Sequence, residues 1–230
     1  MVSCTNQSRR EYCFVTSLVF GASGSLGSHL VQALLERKTP VLAVSRAQPK
    51  FSEHRVQWQC LERYEDFDPS GIAWTSAYLA FGVFSQHSLH ETSVKQVVDA
   101  IDANLLSQIL LVRRLVCDAQ SSPQVRRDII FIGSTSAYTG FAGSSVYCAT
   151  KFALRGLVES LNAEWSESDI RFWLASMGSM DNTMGQSVKN VRVDELLSPL
   201  EVARDIVNAT NRTTNAFQPE IMIRRRRISK

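Results

Sequence analysis

The sequence predicts an α/β protein built on a doubly wound parallel sheet of about seven strands with helices on both faces. Three observations carry that prediction. Strand-like and helix-like segments alternate from end to end, the pattern that crossover connections impose on a parallel sheet. A glycine-rich turn joins the first apolar segment to the first helical one. The length of 230 residues, with 44% hydrophobic and 20% charged residues, suits one compact domain over 1–230, with 1–11 and 225–230 as flexible ends. That composition excludes collagen-like, coiled-coil and wholly disordered chains.

In chain order, strands are expected at 13–20, 40–45, 55–60, 74–81, 128–133, 170–176 and 220–224. The first follows Arg9-Arg10-Glu11 and runs into the glycine turn, so it reads as a buried strand, too short to cross a membrane. Between strands lie a helix at 26–37, a long helix at 93–119 and another at 144–165. In the long helix Val94, Val98, Ile101, Leu105, Val112 and Val116 form one apolar stripe. In the third, Leu154, Leu157, Val158 and Leu161 share a face. The connections 47–54 and 61–72 have room for little more than one helical turn, so one face of the sheet should be thinly covered there.

Net charge is +3, but five of the 25 cations lie in the last seven residues, Arg224 to Arg227 and Lys230. Residues 1–223 therefore carry 20 cations against 22 acids, with no basic excess to suggest a nucleic-acid surface. The arginine run reads as a solvated chain end. Five cysteines, without a C-x-x-C pair or zinc-ligand spacing, are expected to be free thiols in a reducing compartment, which with the absence of a membrane segment points to the cytoplasm and to no structural metal.

The turn Phe20-Gly21-Ala22-Ser23-Gly24-Ser25-Leu26-Gly27 places three of eleven glycines within seven residues. A strand must turn sharply into a helix there while backbone N–H groups approach a pyrophosphate closely. Cβ atoms would obstruct that approach, and the helix N-terminus then stabilises the negative charge. Gly21, Ser23, Gly24, Ser25, Leu26 and Gly27 are thus candidate cofactor-binding residues. At the end of the second strand the chain reads Val44-Ser45-Arg46, without the carboxylate that holds an NAD ribose. An arginine offers a 2′-phosphate a forked, charge-assisted partner, so NADP(H) is favoured and NAD(H) is the alternative. An ordinary exposed arginine is the competing reading.

Tyr147-Cys148-Ala149-Thr150-Lys151 opens the third helix, with Ser134 thirteen residues upstream at the end of an apolar strand. In a chain of this composition such a constellation would arise by chance roughly 0.016 times. A spacing of four places Tyr147 and Lys151 on one helical face. A nearby ammonium favours phenolate and should draw the Tyr147 phenol down toward neutral pH, where it can exchange a proton with substrate.

At these residues the sequence resembles the short-chain dehydrogenase/reductase family, over essentially the whole chain. The stretch Ile129 to Tyr138, followed by Tyr147 to Leu154, is similar to that family's catalytic block almost residue for residue. The resemblance implies a Rossmann-type fold, Ser134 as hydrogen-bond donor to a substrate carbonyl, Tyr147 as general acid/base, and Lys151 as partner of the nicotinamide ribose and of Tyr147. It makes Asn104, in Asp102-Ala103-Asn104-Leu105-Leu106, the fourth catalytic candidate, which would hold a water in the proton relay; a hydrogen-bonded asparagine kinking a buried helix is the competing reading. It also places Ala80, Phe81, Gly82, Asn104, Tyr147, Lys151, Met177, Gly178 and Met180 against the cofactor. The family's Asn-Asn-Ala-Gly is here Leu79-Ala80-Phe81-Gly82, its adenine-contacting aspartate is Cys60, and its Pro-Gly is Met177-Gly178.

The expected activity is NADPH-dependent reduction of a ketone or aldehyde to an alcohol, with hydride supplied by the cofactor and a proton by tyrosine. An NAD-dependent alcohol dehydrogenase and a nucleotide-binding regulatory protein without turnover are the alternatives. Phe84, Thr135, Ser136, Tyr138, Phe141, Met180 and Met184 are expected to wall the substrate pocket. The expected partners are a small carbonyl or alcohol substrate and further copies of the chain, as a homodimer or homotetramer paired through the two long helices, with no nucleic acid and no membrane.

Overall fold

The computed structural model describes residues 15–47, 53–189, 191–210 and 217–225. The chain forms β1 (Thr16–Phe20), α1 (Ser25–Glu36), β2 (Val41–Ser45), β3 (Val56–Cys60) and β4 (Trp74–Leu79). It continues through α2 (Val94–Ile101), α3 (Ser107–Gln120), β5 (Arg127–Ile132), α4 (Ser145–Glu164), β6 (Ile170–Met177), α5 (Thr183–Gln186), α6 (Pro199–Thr210) and β7 (Glu220–Ile223). Each expected strand is present within a few residues of its expected bounds.

The strands make one parallel sheet in the order β3-β2-β1-β4-β5-β6-β7. The chain runs outward from β1 to β3 and then returns to β4, so the order reverses between β1 and β4. In open α/β sheets the crevice beyond the carboxyl ends of the strands at such a reversal receives ligands. Register brings those ends level: Phe20 lies beside Leu79, Leu79 beside Phe131, and Ile132 beside Ala175. The residues that follow each strand therefore emerge together on one rim.

Alternation along the strands fills two cores. Leu18, Phe20, Ile129, Phe131, Phe172 and Leu174 pack under α3 and α4, while Val19, Ala43, Ile130, Trp173, Ala175 and Met177 pack under α1 and α6. The connection from β3 to β4 has only a 3₁₀ turn, Tyr64–Asp66, as its shortness predicts. Tyr64, Phe67 and Ile72 take the place of a helix there, with the Phe67 ring edge-on to Phe20 at 4.9 Å.

The expected single helix over 93–119 is divided. Ser93 caps α2 by accepting the Gln96 N–H, and a π-helical turn, Asp102–Leu106, separates α2 from α3. A π turn carries an extra residue and shifts the phase of the stripe. Val112 and Val116 are buried, whereas Val94 is 81% exposed and Val98 and Ile101 also face outward. Among the described cysteines Cys117 and Cys148 are free, but Cys60 is disulfide-bonded, against the expectation of five free thiols. No helix among the described residues is long and apolar enough to cross a membrane.

Candidate active site

A cleft of about 550 Å³ runs along the rim formed by the ends of β1, β4, β5 and β6. Gly24, Ser25 and Leu26 close one end, and Ser134, Tyr147 and Lys151 line the other. Ser134 follows β5 by two residues and caps the 3₁₀ turn Thr135–Ala137, accepting the Ser136 N–H at 3.1 Å. With its lone pair so engaged, the Ser134 hydroxyl keeps its proton for donation. Tyr147 and Lys151 sit one turn apart at the start of α4, and Ser134 hydrogen-bonds the Tyr147 phenol. The Phe84 ring stands edge-on to Tyr147 at 4.9 Å.

Burial decides the electrostatics here. It pushes the Tyr147 phenol above its ordinary value, and the Ser134 hydrogen bond acts in the opposite direction. The expected depression by Lys151 is therefore not the dominant effect. The ammonium lies 5.8 Å from the Tyr147 ring centre and donates to the Ile132 carbonyl at 2.9 Å. Lys151 is itself 5% exposed, and desolvation brings its own value down to about 8. A phenol held neutral at pH 7 is in the protonation state that an acid needs.

Asn104 lies in the π turn and is fully buried. Its Oδ1 accepts the Val83 N–H at 2.8 Å, and its Nδ2 donates to the Val83 carbonyl at 2.9 Å and to Thr150 Oγ1 at 3.3 Å. Thr150 in turn donates to the Tyr147 carbonyl at 2.7 Å. One amide thus ties the loop after β4 to the first turn of α4. The hydrogen bonds described for the Asn104 side chain all go to Val83 and Thr150, while the residue also lines the cleft.

The glycine turn fits a dinucleotide by shape. A Cβ on Gly21, whose φ is +79°, would lie 2.5 Å from the Ala80 carbonyl oxygen, and one on Gly27 would lie 2.2 Å from the Gly21 oxygen. These two glycines let β1, α1 and the loop after β4 close on one another. The first turn of α1 holds no acidic residue, so its N-terminal N–H groups present uncancelled positive potential to the cleft. Beyond it, Arg46 is exposed and hydrogen-bonds the hydroxyl of Tyr64. The Tyr64 ring packs on Phe81 at 4.4 Å between centres.

Most of the residues proposed from sequence meet in the cleft: Gly24, Ser25, Leu26, Ala80, Phe81, Gly82, Asn104, Ser134, Tyr147, Lys151, Met177, Gly178 and Met180 all line it. Gly21, Ser23, Gly27 and Arg46 do not, the two glycines acting through packing and Ser23 lying exposed on the turn. Of the expected pocket walls, Phe84, Thr135, Ser136, Phe141, Met180 and Met184 are present and Tyr138 is not. Tyr138 ends the 3₁₀ turn and points toward β7, where its hydroxyl donates to Glu220 and the Arg155 guanidinium covers its ring at 4.6 Å. Arg225, expected in a solvated flexible end, instead lines the cleft and pairs with Glu195 at 3.6 Å. Sequence reasoning also missed Thr150 and Lys189. Thr150 was visible inside the Tyr-x-x-x-Lys motif; Lys189 and Arg225 had no local signal.

The family model described as short chain dehydrogenase matches residues 80–192, which hold the π turn, Ser134, Tyr147 and Lys151. A 3-ketodihydrosphingosine reductase of Dictyostelium discoideum is 38% identical over 90 residues, 35% of this chain and 27% of the relative. A sepiapterin reductase of Chlorobaculum tepidum is 29% identical over 96 residues, 42% of this chain and 39% of the relative. The matches thus span well under half the length of these two relatives. Among solved structures, a short-chain dehydrogenase/reductase from Vibrio parahaemolyticus superposes with a TM-score of 0.81 at 22% identity, covering 93% of this chain and 98% of that one. With its seven-stranded parallel sheet and the serine, tyrosine and lysine gathered at one end of its cleft, the chain belongs to the short-chain dehydrogenase/reductase family of oxidoreductases.

Proposed function

We propose that the protein is an NADPH-dependent oxidoreductase that reduces a ketone or aldehyde to an alcohol. One observation carries the reading: two hydroxyls and an ammonium converge at one end of a cleft whose other end is an unopposed helix N-terminus. A bound nicotinamide would supply the hydride. The residues that would hold it are the N–H groups of Gly24 to Leu26 for the diphosphate, Lys151 for the ribose, and the Gly178 to Met180 backbone beside the ring. Ser134 and Tyr147 then donate to the substrate oxygen as it gains charge, and preorganised donors of this kind contribute on the order of 3 kcal/mol each to lowering a barrier. The Tyr147 proton passes to that oxygen as the C–H bond forms. Exposed Arg46 supports NADPH over NADH, because only the former carries a phosphate for the guanidinium to grip.

Both relatives named above are reductases, which agrees with the carbonyl-reducing direction. The outward-facing Val94, Val98 and Ile101 form an apolar face on α2 of the kind that pairing with a second copy would cover, in keeping with a homodimer or homotetramer. The test is consumption of NADPH and NADH by the purified protein with a panel of ketones and aldehydes, beside direct titration of each cofactor. Turnover with NADPH supports the proposal; tight cofactor binding with no turnover on any carbonyl would favour a regulatory nucleotide-binding role.

A further inference from the structure

Three cations, Lys151, Lys189 and Arg225, line the cleft, and its described lining contains no aspartate, glutamate or histidine. A 550 Å³ space with that balance is built for negative charge. The helix N-terminus at Gly24 to Leu26 and Lys151 already answer to a dinucleotide. Arg225 is left without a role.

Its position is specific. In β6 the even residues Phe172 and Leu174 face α4, as does Ser176, which Tyr138 reaches, so Gly178 continues the face on which Tyr147 and Lys151 lie. Gly178 N–H donates to the Ile223 carbonyl at 3.0 Å, which carries the chain past β7 to Arg225. A Cβ at Gly178 would lie 3.3 Å from the Arg225 Cγ and 3.7 Å from its Nε. The arginine therefore occupies the space that a side chain at 178 would take, on the catalytic side of the sheet. Its Nη1 is buried without a hydrogen-bond partner, since Glu195 Oε2 stands 3.6 Å away, beyond hydrogen-bond range. Lys189 lies across the cleft with its backbone N–H on Gln86 Oε1 at 2.9 Å, but its ammonium shares its field with Glu91 on the rim. Arg225 is thus the better placed of the two.

We infer that Arg225 binds an anionic group on the substrate, so that the carbonyl compound is an oxo acid and its product a hydroxy acid. This deepens the reductase reading and rests on it. A guanidinium with a buried, unpaired N–H gains a charge-assisted hydrogen bond when a carboxylate enters and gains nothing from a neutral ester.

The test compares 2-, 3- and 4-oxopentanoate with their methyl esters as substrates of the wild type, Arg225→Ala and Arg225→Lys, alongside titration of NADPH into each. The expected result is a preference for one of the acids over its ester of roughly ten- to hundredfold in kcat/KM. Arg225→Ala should erase it, Arg225→Lys should restore part of it, and NADPH affinity should be unchanged. Equal use of acids and esters overturns the inference and leaves the reductase reading standing. Weakened NADPH binding in Arg225→Ala also overturns it, because the anion is then a cofactor phosphate. If no carbonyl compound is reduced, the reductase reading falls, and calorimetric titration of pentanoate and pentanamide decides the anion site alone. Binding of pentanoate only, lost in Arg225→Ala, upholds it; no difference between the two removes it. Glu195→Gln should bind pentanoate at least as tightly as wild type, and a loss equal to that of Arg225→Ala would show that the pair merely latches the loop.

Discussion

The two ends of the cleft are built differently. At the β4–β6 end, buried groups fix one another: Asn104 holds Val83 and Thr150, Thr150 holds the Tyr147 turn, and Lys151 holds Ile132. At the β1–β3 end the connection from β3 to β4 holds only a 3₁₀ turn, and the group proposed to read the cofactor is one exposed arginine on a tyrosine hydroxyl. Proton transfer needs atoms held to fractions of an ångström, whereas recognition of a phosphate tolerates a surface cation. The chemistry should therefore be sensitive to small changes at one end, and cofactor choice adjustable at the other.

The largest effect is expected from Tyr147→Phe, which keeps the ring but removes the proton donor and should lower kcat by about 10²- to 10⁴-fold. Retention of a tenth of wild-type kcat would end its role as acid. Next comes Arg46→Ala, which should raise the Kd of NADPH about ten- to hundredfold and leave NADH nearly unchanged. Equal losses would mean that Arg46 does not read the phosphate. Asn104→Ala should cost about 1–3 kcal/mol of stability by leaving both polar groups of Val83 without partners, measurable by urea denaturation, while NADPH affinity falls less than in Arg46→Ala.

Lys151 links stability to pH. Its folded-state value of about 8 lies below its ordinary 10.5, so between those values the unfolded chain binds more protons and stability should rise with pH. Below pH 8 the ammonium is charged in both states and its burial cost is present in full. Lys151→Met should flatten the rise and leave the protein more stable at pH 7 by roughly 1–2 kcal/mol, while abolishing turnover. Parallel pH profiles of stability in wild type and variant would contradict this.

The fold was legible because strand period, short connections and a glycine turn are local signals, and each strand fell where its apolar run did. That Tyr147 and Lys151 would stand together in the cleft was legible for the same reason, since they share one helical turn. What escaped was non-local or cooperative. The π turn breaks a stripe that reads as continuous, because an extra residue per turn is invisible in composition. Burial outweighs the charge of Lys151 at Tyr147 because desolvation depends on packing from several elements. Tyr138 and Arg225 were misplaced because backbone direction after a 3₁₀ turn and after the last strand sets where they point, and no motif encodes either.

The most direct test of the division between the two ends measures kcat at saturating NADPH and the Kd of NADPH in the same preparations of Tyr147→Phe and Arg46→Ala. The account predicts opposite losses: turnover without affinity for Tyr147→Phe, and affinity without turnover for Arg46→Ala. Two variants that each lose both quantities to the same degree would contradict it.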